Sequence, residues 1–330
     1  MEKEIICAFS SDSRNLYKAD IYRALSMPDD YLLHFRYKYK YVDEKIKENK
    51  NLIGKKINIF YTITKDNKPV EYISIREATI YHIEKSDYTE LFNVYMKLGK
   101  FIDAEINNET ENIFLGYKTL NKKVNVSWKN RVDKVNDYFE DELIYYFIKN
   151  ITSKEGEVIE INNDEKNSYY AIQQGSEYLI NLAVGNPKLK IGSDFDNNLD
   201  INTNNADIVI NSILPIELSA QFDDIQIPFF VKHSDYPKVS SHIIFQPNIK
   251  DKKVKEFVSY IKIEKKNSKG KSIYFGLLSL IALIGLFLLK DNSKSFTIFD
   301  FNLPINYALI SGAVLIVLST SILHYNYNKK

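Results

Sequence analysis

The sequence predicts an α+β and mostly-β cytoplasmic region, a small sheet or barrel plus a β-sandwich-like domain, followed by a C-terminal two-helix transmembrane hairpin. Three observations lead there. Residues 31–42 and 55–85 carry the period-two alternation of strands. Residues 157–245 divide into short β-prone runs separated by Asn, Asp, Gly and Pro. Beyond Ser272 the charged character of the chain gives way to two uncharged runs, Ile273–Leu289 and Tyr307–Leu323.

Tyr31–Val42 reads YLLHFRYKYKYV. As a strand it turns Phe35, Tyr37, Tyr39 and Tyr41 to one face and Arg36, Lys38 and Lys40 to the other. Lys55–Thr64 and Val70–Lys85 are predicted strands joined by the turn Lys65-Asp66-Asn67-Lys68-Pro69. Tyr88–Ile102 and Arg131–Lys149 are predicted helices, the second from the spacing of Val132, Val135, Tyr138, Phe139, Leu143 and Phe147. These elements define an α+β, sensor-like domain over 1–150. Glu157–Ile161, Tyr169–Gln173, Tyr178–Val184, Ile208–Leu214, Ile227–Lys232 and Ser241–Phe245 are short predicted strands of a β-rich domain over 151–263. Lys250–Lys271 reads as a charged connector whose last stretch, 264–272, is juxtamembrane.

A bilayer core of ~30 Å takes about 20 helical residues, within roughly 17–25. Residues 273–289 and 307–323 meet the short end of that range. Lys262, Lys265, Lys266, Lys269 and Lys271 precede the first run, and Lys329 and Lys330 follow the second. The intervening segment holds only Lys290 and Lys294. Positive charge on the inner side then places both termini, including the tail 324–330, in the cytoplasm and the 290–306 loop outside. Met1–Asp20 lacks the long apolar core of an export signal. The expected location is the inner (cytoplasmic) membrane, crossed twice. In the second run Ala308 and Gly312 form a small-xxx-small pair, with Ser311 and Ser319 near the same face. That face suits an oligomer contact, a mildly polar pore lining, or the partner helix of the same hairpin.

Composition narrows the chemistry. Of 44 Lys and Arg and 43 Asp and Glu, four and two fall beyond Lys271, leaving 40 cations against 41 anions in the larger part. Such balance does not suit a general polyanion binder, and duplex-DNA binding is not expected. The single cysteine, Cys7, excludes a disulfide framework and a multi-thiolate zinc site. Asp194, Asp196, Asn198 and Asp200 open like a calcium loop, but Leu199 and Asn205 stand where Gly and Glu are needed. The five histidines follow no metal-ligand spacing, and no phosphate-loop or nucleophile-elbow motif occurs. The chain is therefore read as non-enzymatic, without cofactor or metal. Arg36, Lys38 and Lys40 are the candidate ligand-binding residues, since cations interleaved with aromatics can meet phosphates and bases. The same alternation also describes a solvated strand face over an aromatic core.

At the level of architecture, the two apolar runs behind a soluble region resemble the two-helix membrane effectors of bacterial antiphage (abortive-infection) defence systems. The likeness covers about a fifth of the chain. It implies a cytoplasmic sensor for a nucleotide or oligonucleotide, coupled to a homo-oligomeric transmembrane pore that depolarises the membrane. One hairpin cannot enclose a water-filled path, so conduction requires several chains in the bilayer. A static membrane anchor for a β-rich interaction module, and a membrane-bound hydrolase, are the competing readings.

Overall fold

The computed structural model describes residues 4–49, 51–65, 68–86, 88–107, 113–139, 143–189, 198–211, 216–218, 220–233, 240–249, 252–266, 295–298 and 301–304. The first half is built from β1 (Glu4–Ser11), α1 (Asn15–Ser26), β2 (Leu32–Lys38), α2 (Glu44–Glu48), β3 (Lys56–Lys65), β4 (Lys68–Ser86), β5 (Leu91–Ile106), β6 (Leu115–Asn125) and α3 (Trp128–Val135). Its strands lie in the order β2-β5-β4-β3-β1-β6, and β5 pairs again with β6. That second pairing closes a barrel, with β2 on its flank. The long β5 serves both neighbours by dividing its length: Leu91–Lys97 pairs with β2 and Ile102–Ile106 with β6. β1 is buried on both faces. Cys7 and Phe9 join an inner cluster with Phe60, Ile102 and Ala104, while Ile6 and Ala8 join the larger core with α1.

The second half is a two-sheet sandwich. One sheet runs β13-β15-β11-β7-β8, with β7 (Tyr145–Ser153), β8 (Val158–Ile159), β11 (Ser176–Gly185), β13 (Ile208–Ile210) and β15 (Phe222–Val231). The other runs β14-β12-β16-β18-β10-β9, with β9 (Ile161–Asn163), β10 (Ser168–Gln173), β12 (Asn198–Thr203), β14 (Ile216–Glu217), β16 (Ser240–Ile249) and β18 (Ser259–Lys266); β17 (Lys252–Lys253) pairs with β16. Tyr146 of β7 stacks on Phe245 of β16 across the gap, ring centroids 5.3 Å apart. Barrel and sandwich share one continuous core, and Met1–Lys232 with Val239–Lys265 form one compact unit. A second unit holds an antiparallel pair, β19 (Ser295–Ile298) and β20 (Phe301–Pro304), in the register Ser295↔Pro304 to Ile298↔Phe301.

Several expectations are corrected. The described region is mostly β, 61% strand and 15% helical, arranged in three principal sheets. The first half is thus a barrel flanked by short helices, with strand well in excess of helix. Tyr88–Ile102 is strand β5 rather than a helix. Arg131–Lys149 is helical only through Val135 and a following 3-10 turn, and re-enters the sandwich as β7. The predicted strand 31–42 ends at Lys38, and Tyr39–Tyr41 is a 3-10 turn closed by Val42 N–H donating to the Tyr39 carbonyl at 3.0 Å. The charged connector contains β18, an interior strand between β16 and β10. The two-helix transmembrane hairpin is not found either: no helix among the described residues is long and apolar enough to cross a membrane. The longest, α1, has 12 residues, or about 18 Å at helical rise. The runs Ile273–Leu289 and Tyr307–Leu323 lie outside the described residues, and the 290–306 segment contains the β19–β20 pair.

Arg76 on β4 ties these parts together. Its side chain is fully buried. Nε donates to the Gly99 carbonyl at 2.8 Å, and Nη1 donates to the carbonyls of Ala24 at 3.1 Å and Met27 at 2.6 Å. Nη2 pairs with Asp29. The guanidinium lies 4.3 Å from the Phe101 ring centroid and 5.6 Å from that of Phe147. Arg76→Met leaves three carbonyls without their donor, and a cost of roughly 3–5 kcal/mol is expected. Asp29→Asn, at a carboxylate whose side chain is 37% exposed, costs on the order of 1 kcal/mol. Urea unfolding of the two variants checks the ranking.

Candidate functional site

A groove of about 640 Å³ opens where α1 and β2 meet the outer face of the β16-β18-β10 sheet. This is within the ~300–1,000 Å³ range of small-molecule sites. α1 contributes Leu16, Asp20 and Arg23, which recur at helical spacing along one stripe of the helix. β2 contributes His34 and Arg36. Its alternation is the one read from the sequence: Phe35 and Tyr37 are buried, while His34, Arg36 and Lys38 are exposed. β18 presents Tyr260 and Lys262 by the same rule, with Ile261 and Ile263 turned into the core. His242 lies opposite Lys262 in the β16–β18 register. Lys166, from the turn before β10, completes the cationic lining.

The structure divides the predicted stripe. Arg36 lines the groove, whereas Lys38 and Lys40 do not. Lys40 has left the strand for the 3-10 turn, with Nζ 4.9 Å from the Tyr41 ring centroid. The other groove cations, Arg23, Lys166 and Lys262, come from parts of the chain with no local pattern to join them to Arg36. Ala308, Ser311, Gly312 and Ser319 lie outside the described residues, as do Asp194 and Asp196. Asn198 and Asp200 stand on β12, opposite Asn248 and Gln246. No metal-binding cluster occurs among the described residues.

Each groove cation has a different degree of commitment. Arg23 Nη1 pairs with Asp20 Oδ1 at 3.0 Å, Lys166 with Glu84 at 2.5 Å, and Lys262 with Glu264 at 2.8 Å. Lys262 also lies 5.4 Å from the Tyr169 ring centroid. Arg36 has no ion pair among the described residues. Its nearest neighbour on the strand, His34, stacks on Tyr95 at 4.5 Å between centroids and bonds to Asn93 Oδ1 at 3.1 Å. Burial holds the His34 imidazole below its ordinary range, opposed by the Asn93 bond and reinforced by the charge of Arg36. Burial and then Lys262 lower His242 in the same way. Both shifts favour the neutral ring. Tyr260 meets His242 edge-on at 5.1 Å and remains 54% exposed. The groove therefore offers an uncommitted guanidinium, further cations that can exchange partners, and an open aromatic ring. That combination binds an anion attached to a flat group; Arg36 can supply paired donors and Tyr260 a stacking surface.

Asp20 is the carboxylate within this lining. Burial pushes its carboxyl up to about 6, against the opposing pull of Arg23 and then Arg36. A carboxyl raised by folding holds its proton more tightly in the folded chain. Its contribution therefore declines as pH rises from the unfolded value, ~3.9, to about 6, and is constant above. The stability of the wild type relative to Asp20→Asn is expected to fall by about 2–3 kcal/mol between pH 4 and pH 7. Urea unfolding of both chains at the two pH values measures it, and the opposing His34 and His242 terms cancel in the difference. A difference that does not change with pH would show that Asp20 does not titrate in this window.

No protein-family model matches the chain, and a search of curated proteins finds no match.

Proposed function

We propose that this chain is a non-catalytic sensor that captures a nucleotide or short oligonucleotide in the groove between barrel and sandwich. The observation that carries the reading is the convergence of the uncommitted Arg36 guanidinium and the half-exposed Tyr260 ring on one groove. Phosphate oxygens bond to Arg36 and draw Arg23 and Lys262 from Asp20 and Glu264. The base stacks on Tyr260. Stacking of this kind contributes about 1–3 kcal/mol per base and tolerates different bases. Exchange of one carboxylate for a phosphate keeps Arg23 and Lys262 paired in both states, and Arg36 gains the anion it lacks in the free groove.

The sensor is read as acting at a membrane. The support is sequence hydropathy: 273–289 and 307–323 hold no charged residue, and lysines cluster before the first and after the second. In this reading ligand capture is coupled to self-association of the chain at the bilayer, with the Ala308/Gly312 spacing as its sequence support. Permeabilisation of the membrane is the proposed output.

Calorimetric titration of the full-length chain with ATP as a test nucleotide checks the ligand reading. Arg36→Glu and Tyr260→Ala each weaken binding by at least about tenfold, one through the phosphates and one through the base. Lys38→Glu and Lys40→Glu leave it unchanged, because both side chains lie off the groove. Loss of binding with Lys38→Glu but not with Arg36→Glu would move the site to the far end of β2 and overturn the assignment.

A further inference from the structure

A second concave surface lies at one end of the barrel and shares no lining residue with the groove. It has a volume of about 910 Å³ and gathers Lys55 and Lys56 from the start of β3 with Lys122 and Lys123 from late β6. Two pairings of β1 bring these two segments together. β1 runs parallel to β3, in the register Ile6↔Ile57, so both strands begin at the same end. β6 runs antiparallel to β1, in the register Glu4↔Thr119, so it arrives there with its later residues. Glu4 is the carboxylate in this lining, and Lys45 stands 3.7 Å from it. Lys123 Nζ is held by Glu77 at 2.9 Å and by Asn58 Oδ1 at 3.2 Å. Lys55, Lys56 and Lys122 have no ion pair among the described residues. The floor is apolar: Ile5 and Leu120 line it and pack against the inner barrel cluster.

We propose that this barrel mouth is a second anion site, for a phosphate group carrying more than one negative charge. Like charges held together are unfavourable until a counter-ion joins them. Lys55, Lys56 and Lys122 are exposed over this apolar floor, with Lys56 also in the field of Glu77, and no ion pair occupies them among the described residues. A di- or triphosphate, or a phosphate at the head of a lipid, neutralises them; the lipid alone also covers Ile5 and Leu120. The two sources share the phosphate and differ in the tail.

The test uses the full-length chain held in amphipol. Calorimetric titration with inorganic tripolyphosphate is expected to fill two sites. Lys55→Glu/Lys56→Glu/Lys122→Glu abolishes one, weakening it about a hundredfold for three lysines, and Arg23→Glu/Arg36→Glu abolishes the other. The neutral Lys55→Gln/Lys56→Gln/Lys122→Gln variant melts no lower than the wild type, because the mutual repulsion of the three ammonium groups has been removed. If charge reversal prevents folding, the triple Lys→Gln variant reads the same loss. Short-chain phosphatidic acid, below its micellar concentration, separates the sources: tighter binding than tripolyphosphate at the lysine site assigns a lipid headgroup, and equal or weaker binding assigns a free phosphate. Tripolyphosphate affinity and stoichiometry that the lysine variant leaves intact overturn the proposal, whatever happens in the groove.

Discussion

A guanidinium taken out of water is tolerated only when its donors are met and its charge is balanced. Arg76 meets that demand by reaching into four parts of the chain: the β5 carbonyl of Gly99, the closing turn of α1 at Ala24 and Met27, the carboxylate of Asp29, and the aromatic rings of Phe101 and Phe147. Because the last carbonyls of a helix have no partner within it, Arg76 also supplies donors where α1 lacks them. Burial lowers its pKa to about 10, with Asp29 pulling the other way, so the group remains charged at neutral pH. The end of α1 and the turn into β2 are consequently held against β4 and β5, and β7 is held by its Phe147 ring. One barrel-side wall of the groove, α1, is thus anchored at its end by this buried charge, and the other, β2, follows from the turn it holds and from pairing with β5.

A row of polar links then joins β2 to the sandwich. Leu32 N–H donates to Ser168 Oγ at 2.7 Å, Ser168 Oγ donates to Asn163 Oδ1 at 2.6 Å, and Asn163 Nδ2 donates to the Asp30 carbonyl at 2.9 Å. Tyr31 O–H donates to the Tyr260 carbonyl at 3.3 Å. These bonds connect flank strand β2 to β9, β10 and β18 without a continuous ladder. Side chains beside a completed ladder would be spaced too closely to leave a groove. Here side-chain bridges hold the two surfaces apart, and the cations and rings occupy the gap.

The sequence made part of this legible. In β2 one face is core and the other is open, so the alternation of Phe35 and Tyr37 with His34, Arg36 and Lys38 could be read directly. β5 concealed itself because it is covered on both faces over much of its length. Val94, Tyr95 and Met96 are consecutive buried residues, as are Phe101 and Ile102, and such runs supply apolar pairs at helical spacing by coincidence. Tyr145 and Tyr146 of β7 are likewise both buried. β18 was disguised by charge: Lys265 occupies an inward position and is neutralised there by Asp207, a partner far away in sequence. The groove shows the same limit. Arg36 could be nominated from its own strand, but Arg23, Lys166 and Lys262 meet it only through tertiary packing.

The position of β18 has a mechanical consequence. It is flanked on both sides, by β16 and by β10, and only the six residues 267–272 separate its last residue, Lys266, from the apolar C-terminal sequence. A pull on that sequence along the strand direction loads β18 in shear, so its flanking hydrogen bonds share the force and do not open one at a time. Tyr260 and Lys262 sit on the same strand. Any displacement of the strand along its own axis moves a stacking ring and a cation relative to Arg36, which is fixed on another sheet. Force on the tail and occupancy of the proposed site would thus act through the same eight residues, and a ligand bridging β2 and β18 would stiffen the chain against extraction of β18.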